Sequence, residues 1–354
     1  MMHPLKNKIL KEIDSRGPIR IDRYMEMALF DKELGYYNRA NPIGSKGAFI
    51  TAPEITQVFG ELIGLFMAQY WIDCGQFKPV TLLELGPGKG TLMSDLLRSS
   101  RIVPGYLDSC NLCLLEKSHS LKEQQMKNLQ DANPAWLDSL DELPNQPVFA
   151  LANEFFDALP IRQFLRGKQY WQERLVGKSG DSLQFELSPE FEFKPLEARL
   201  KDTSEGNIVE VRPGARDFIQ GILDKIKKHG GIFLIIDYGA SQSLGDTFQA
   251  LEANQYADPL ANPGSADLTS HVDFGALVKD IEGVSVSPLL GQGKFLQNLG
   301  ILQRSQILTK NLTGEELETH RKAIDRLISP HQMGDLFKVM AIYANRQPVP
   351  QGLH

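Results

Sequence analysis

From residue 79 onward, short apolar runs alternate with stretches of helical spacing. Val80–Leu85 reads as a strand, followed by a glycine turn and a helix over residues 91–99. Residues 112–115 give a second strand, with a helical stretch at 120–129 behind it. Residues 148–152 give a third strand and residues 231–236 a fourth. Runs this apolar are buried on both faces, which predicts a largely parallel sheet flanked by helices: a doubly wound α/β fold. Residues 337–343 predict a terminal edge strand.

Ahead of the first strand, residues 6–75 read as mainly helical. Thr51 is placed as an N-cap, with Pro53 in the first turn and Glu54 at the capping-box position. Ile55, Val58, Phe59, Leu62, Ile63, Phe66 and Tyr70 follow at helical spacing. A loop dense in turn formers lies between Gly35 and Gly47. Two stretches interrupt the later alternation. Residues 168–176 and 182–187 flank a Gly-Lys-Ser-Gly-Asp turn and predict an inserted β-hairpin. Residues 241–273, with Asp258-Pro259 and Asn262-Pro263-Gly264, form a long turn-rich segment of the kind that usually serves function. The expected organisation is an N-terminal helical lid region (1–78), the first half of the core (79–165), a hairpin and substrate region (166–205), and the second half of the core (206–345) carrying the 241–273 loop insertion.

Composition narrows the class. The 354 residues are 42% hydrophobic and 23% charged, ordinary globular usage that argues against disorder. A net charge of −6 argues against a nucleic-acid partner. The first residues lack an apolar core and soon include Glu12 and Asp14, unlike a secretory signal or transit peptide. The longest apolar run, residues 232–236, falls far short of the ~20 residues of a membrane span. These features predict a soluble cytoplasmic protein with no membrane span. Cys74, Cys110 and Cys113 are too few and unmatched for a metal site, so they read as buried structural thiols and no metal is expected.

The sharpest feature is Leu82-Leu83-Glu84-Leu85-Gly86-Pro87-Gly88-Lys89-Gly90-Thr91, a strand, a glycine turn and a helix start. Glycine permits the tight turn and lets a ligand approach bare backbone. The spacing of Gly86, Gly88 and Gly90 is tighter than the dinucleotide pattern, with Thr91 where the third glycine should stand. Glu84 is badly placed for a ligand with two phosphates and well placed for one with an ammonium and a sulfonium. Glu116, at the end of the second strand, can accept both ribose hydroxyls. A cationic, phosphate-free nucleoside cofactor fits this set better than NAD.

Here the chain resembles the seven-stranded S-adenosylmethionine-dependent methyltransferases. Further segments narrow the likeness to the MidA-like family, the bacterial relatives of the mitochondrial complex I assembly methyltransferase. They are the lid segment Gly47-Ala48-Phe49-Ile50-Thr51-Ala52-Pro53-Glu54-Ile55, the run Asn153-Glu154-Phe155-Phe156-Asp157-Ala158-Leu159-Pro160, Asp237-Tyr238-Gly239, and residues 266–274. The resemblance spans nearly the whole chain. It departs at Gly291-Gln292-Gly293-Lys294-Phe295, where Thr-Gln-Gly-Glu-Phe is expected. It implies S-adenosylmethionine as cofactor and a mostly parallel seven-stranded sheet with Val80–Leu85 central and one antiparallel edge strand near 337–343. It also implies a protein substrate, an arginine of a complex I subunit in the mitochondrial relative. The oligomeric state is open, a homodimer included.

Methyl transfer needs an aligned, deprotonated nucleophile, and a guanidinium needs carboxylates to orient it and take its proton. Glu154 and Asp157, at the carboxyl edge of the sheet, are the candidates for that work, with Asn153 near the cofactor. Glu54 has a sufficient role as a cap; if the lid folds over the cofactor, Thr51, Pro53 and Glu54 reach it too. Asp138 and Ser139 occupy the stretch that usually meets the adenine ring. His271, beside Asp267 and Asp273, is read as a hydrogen-bonded loop residue rather than a base. The competing readings are a small-molecule methyltransferase, a non-catalytic S-adenosylmethionine-binding assembly factor and, disfavoured by the glycine spacing, an NAD-dependent oxidoreductase.

Overall fold

The computed structural model describes residues 3–38, 51–253 and 255–354. Most of the 35–47 loop and the first part of the lid segment lie outside the described residues. The chain forms two compact units, one from residues within 1–49, 157–216 and 240–276, the other from residues within 50–156, 217–239 and 277–354. The first 78 residues are therefore shared between the units.

The second unit holds the large sheet. Among the described residues the sheet has nine strands, seven of them along its main path: β1 (Val80–Leu85), β2 (Cys110–Leu115), β3 (Ala135–Leu137), β4 (Val148–Asn153), β5 (Gly231–Ala240), β6 (Val284–Val286) and β7 (Phe337–Ala344). Along the main path they lie in the order β6-β7-β5-β4-β1-β2-β3. β3, β2, β1, β4 and β5 are parallel neighbours, whereas β7 runs antiparallel to β5 and to β6. Every residue of β1 and β4 is buried, as their predominantly apolar sequences predict, with Thr81, Glu84 and Asn153 as the buried polar members. Strand β7 is antiparallel, but it is not the edge. It is inserted between β5 and the short strand β6, whose Val-Ser-Val is half exposed and too weakly patterned to read as a strand.

The order reverses at β1. From β1 the chain moves outward through β2 and β3, then returns to the other side of β1 through β4 and β5. Ligands of open α/β sheets bind at this switch point, beyond the carboxyl ends of the strands. Behind it, helix α1 (Gln57–Asp73) packs on α2 (Thr91–Ser100) at unusually close range. A Cβ on Gly60 would stand 2.6 Å from the Asp95 Cβ, and one on Gly64 only 2.5 Å from the Leu96 carbonyl. Helix α3 (His119–Asn128) follows β2, with Ser118 as its N-cap.

In the first unit an antiparallel sheet runs Ile19–Arg20, Trp171–Ser179, Arg162–Arg166, Ile208–Val211, with Ser182–Leu187 paired to Trp171–Ser179. The expected hairpin is thus one part of a larger sheet, closed by a Gly180-Asp181 turn. Helices Pro4–Arg16 and Ile21–Phe30 share a core with it. The 241–273 segment is not a bare loop: Gln249–Glu252 pairs with both Gln255–Ala257 and Asp267–Thr269.

Candidate active site

Leu85 pairs with Leu115 on one side and Ala152 on the other, so Gly86, Glu116 and Asn153 leave three neighbouring strands at the same level. Gly86, Gly88 and Gly90 have φ of 59°, 53° and 81°, a run of left-handed backbone that only glycine adopts without strain. The motif therefore opens the switch point as a stretch of bare backbone leading into α2.

Glu84 is 2% exposed, and its Oε2 has no hydrogen-bond partner among the described residues. Burial, and secondarily the charge of Glu116, push its carboxyl up to about 8. The Asn153 Oδ1 is a second buried acceptor without a partner. Burial also raises Glu116, against the hydrogen bonds that stabilise its charge, from the Ser118 N–H at 2.8 Å and the Gln125 Nε2 at 3.2 Å. A buried carboxyl with one oxygen lacking a hydrogen-bond partner among the described residues, beside a second acid, calls for a ligand with a cationic group and hydroxyl donors. The residues present fit S-adenosylmethionine: Glu84 and the glycine turn for its charged amino-acid end, Glu116 for the ribose.

Glu154 ends β4 in the left-handed region, φ 50°, unusual for a glutamate. Its Oε1 accepts from the Ala52 N–H at 3.0 Å and from Asn153 Nδ2 at 3.3 Å. The turn beyond is held by Asp237 within β5, whose carboxylate accepts from the N–H groups of Phe156 at 2.9 Å and Tyr238 at 2.9 Å. The sequence signal for this role is an acid that directly follows the apolar run of residues 232–236.

The capping expectation is corrected. Thr51 makes no side-chain cap bond, and Thr56 caps α1 by accepting from the Val58 N–H. Glu54 instead accepts from Thr91 Oγ1 at 2.5 Å and pairs with Lys89 Nζ at 3.2 Å, so it clasps both flanks of Gly90. Pro53 is buried in the short helix Ala52–Ile55 and Thr51 is half-buried. Asp138 and Ser139 are exposed. Asp138 pairs with Lys122, and Ser139 forms a capping box with Glu142.

Asp157 falls in the first unit, apart in that division from Glu154. There its charge, after burial, contributes to raising Asp267 to about 7, and Tyr37 donates to Asp267 Oδ1 at 2.9 Å. His271 is pushed down by burial and by Arg212, so it is neutral near pH 7. In the departing Gly291–Phe295 run, Gln292 is buried and donates to the Leu327 carbonyl, while Lys294 is exposed. The lost acid thus falls at a solvent-facing position. Among the described residues no helix is long and apolar enough to cross a membrane, and no cluster of ligating side chains could hold a metal.

A mixed sheet with this strand order, a left-handed glycine turn at the switch point, and a buried and a half-buried acid beside it define an S-adenosylmethionine-dependent methyltransferase. The chain belongs to the S-adenosyl-L-methionine-dependent methyltransferase family Methyltransf_28, whose profile matches residues 62–288. It is 34% identical over 369 residues to the mitochondrial protein arginine methyltransferase NDUFAF7 of Xenopus laevis, across 96% of this chain and 84% of that one. The Homo sapiens protein of that name is 33% identical over 374 residues, across 97% and 84%. A COG1565-superfamily member from Burkholderia thailandensis, crystallised with S-adenosyl-homocysteine, superposes with a TM-score of 0.83 at 25% identity, covering 100% of this chain and 97% of that one.

Proposed function

We propose that the methyl acceptor is an arginine of a partner protein and that Glu154 is the catalytic carboxylate. Bound S-adenosylmethionine supplies an electrophilic methyl carbon on a sulfonium, and its loss leaves the neutral thioether. Glu154 accepts an N–H bond from the guanidinium and so turns one nitrogen toward that carbon. As the nitrogen–methyl bond forms and the carbon–sulfur bond breaks, the proton shed by that nitrogen passes to the Glu154 carboxylate. Asp157, three residues on in the same motif, is assigned a supporting role.

One observation carries the reading: Glu154 ends β4 at the switch point with its Oε1 fixed by the Ala52 N–H and Asn153 Nδ2. A carboxylate held this firmly suits a planar, multi-donor cation better than a small apolar acceptor. The names of the NDUFAF7 relatives support arginine, and the family resemblance supports a respiratory complex I subunit as partner. Purified protein, a host lysate and tritiated-methyl S-adenosylmethionine test it. Label on a protein band, mapped to arginine by mass spectrometry, is expected. Label confined to small molecules, or to another side chain, overturns it.

A further inference from the structure

Helix α3 carries one fully buried polar side chain, Gln125, which neither the glycine motif nor the acids of the site account for. All its hydrogen-bonding groups are engaged. The Trp136 Nε1–H donates to its Oε1 at 2.8 Å, which fixes which end of the amide is oxygen. Its Nε2 then points one N–H at the Gly88 carbonyl, 2.7 Å away, and the other at Glu116 Oε2, 3.2 Å away. A single amide thus ties the middle of the glycine turn to the acid at the end of the next strand. The Cα and Cγ of Gln125 also lie 3.5 Å from where a Gly90 Cβ would stand, so the helix itself packs against the turn.

We infer that Gln125 is a positioning residue that couples the glycine turn to Glu116 and sets selectivity for the cofactor's ribose. Glu116 has one oxygen on the Ser118 N–H and the other on Gln125. With both anchored, the carboxylate plane is set and its remaining lone pairs face one direction. Two adjacent ribose hydroxyls are the ligand groups that a fixed carboxylate recognises best. Without Gln125 the carboxylate keeps only its backbone partners at Ser118 and Lys117, so its Oε2 loses its side-chain anchor, and the Gly88 carbonyl loses the amide that ties it to Glu116. The inference rests on Glu116 receiving the ribose, and the test separates the two.

The test compares binding of S-adenosylhomocysteine with binding of its 2′,3′-dideoxyribose analogue, by calorimetry on the full chain. The wild type should prefer the hydroxylated ligand about a hundredfold, the worth of two charge-assisted bonds less their hydration. Gln125→Met, close in volume, should cut that preference at least about tenfold, and Glu116→Gln should cut it similarly. The double variant should lose little more than either alone. Trp136→Phe removes the bond that orients the amide and leaves turn and acid untouched. It should lower the preference about threefold, and it serves if Gln125→Met does not fold. A ratio is insensitive to general loosening, which weakens both ligands alike. Wild-type preference in Gln125→Met or in Trp136→Phe overturns the inference while sparing the reading of Glu116. Wild-type preference in Glu116→Gln overturns both.

Discussion

Replacing Glu84 by glutamine separates charge from shape in the cofactor site. The carboxyl titrates near 8 rather than at the ordinary 4.5, because it is buried and lies near Glu116. That difference corresponds to about 5 kcal/mol at about 1.4 kcal/mol for each pH unit. The sign follows from which state holds the proton. With its pKa raised on folding, Glu84 contributes stability that is fully present below pH 4.5 and is lost as pH rises through 8. Glu84→Gln carries no titrating group there. The ligand-free variant should therefore match the wild type at pH 4.5 and exceed it by up to about 5 kcal/mol at pH 9, read by urea melts. Binding should show the reverse order. The ligand's ammonium requires the charged carboxylate, so wild-type affinity for S-adenosylhomocysteine should rise about 50-fold from pH 6 to pH 8, with release of about one proton at pH 6 and about half of one at pH 8. Calorimetry in buffers of different ionisation enthalpy counts that proton. Glu84→Gln should bind weakly with a flat profile over that range. Wild-type binding without pH dependence, or a variant that binds as well as the wild type, would refute the reasoning.

The remaining predictions are more local. Thr56→Ala should cost about 1 kcal/mol in chemical melts and Thr51→Ala less than about half of that, since only Thr56 caps α1. Glu54→Gln should weaken S-adenosylhomocysteine binding about five- to tenfold in calorimetry, because Lys89 loses its ion pair beside Gly90. Gly88→Val should abolish that binding, a β-branched residue being barred from its left-handed φ, and neither protein should bind NAD. Asp267, raised to about 7 from 3.8, costs stability increasingly as pH climbs between those values; Asp267→Asn should therefore be more stable than the wild type at pH 8 and equal to it at pH 3.8, by the same melts.

The central sheet was legible because strands buried on both faces are written as predominantly apolar runs, as in Val148–Ala152 of β4 and residues 232–236 of β5. The glycine turn was legible because three left-handed positions at alternate residues, 86, 88 and 90, tolerate little else. Strand β6 was not, being three residues long and half exposed, nor was the gathering of three distant segments into one unit. Glu54 misled for a physical reason. Its spacing from Thr51 suits a local capping box, yet its partners, Lys89 and Thr91, stand 35 and 37 residues away. Gln125 was invisible because a glutamine on a helix reads as solvated until Trp136, Gly88 and Glu116 are known to surround it. Asp138 and Ser139 sit where family habit puts the adenine, but their side chains are spent on Lys122 and on a cap.

The most direct measurement is single-turnover methylation by Glu154→Gln at saturating S-adenosylmethionine, with cofactor affinity determined on the same preparation. Glutamine preserves size and the acceptor for the Ala52 N–H, but it cannot take up a proton. The account predicts a rate lower by about 10²–10⁴ with affinity for S-adenosylhomocysteine nearly unchanged. Methyl transfer at the wild-type rate would contradict it and remove Glu154 as the catalytic carboxylate.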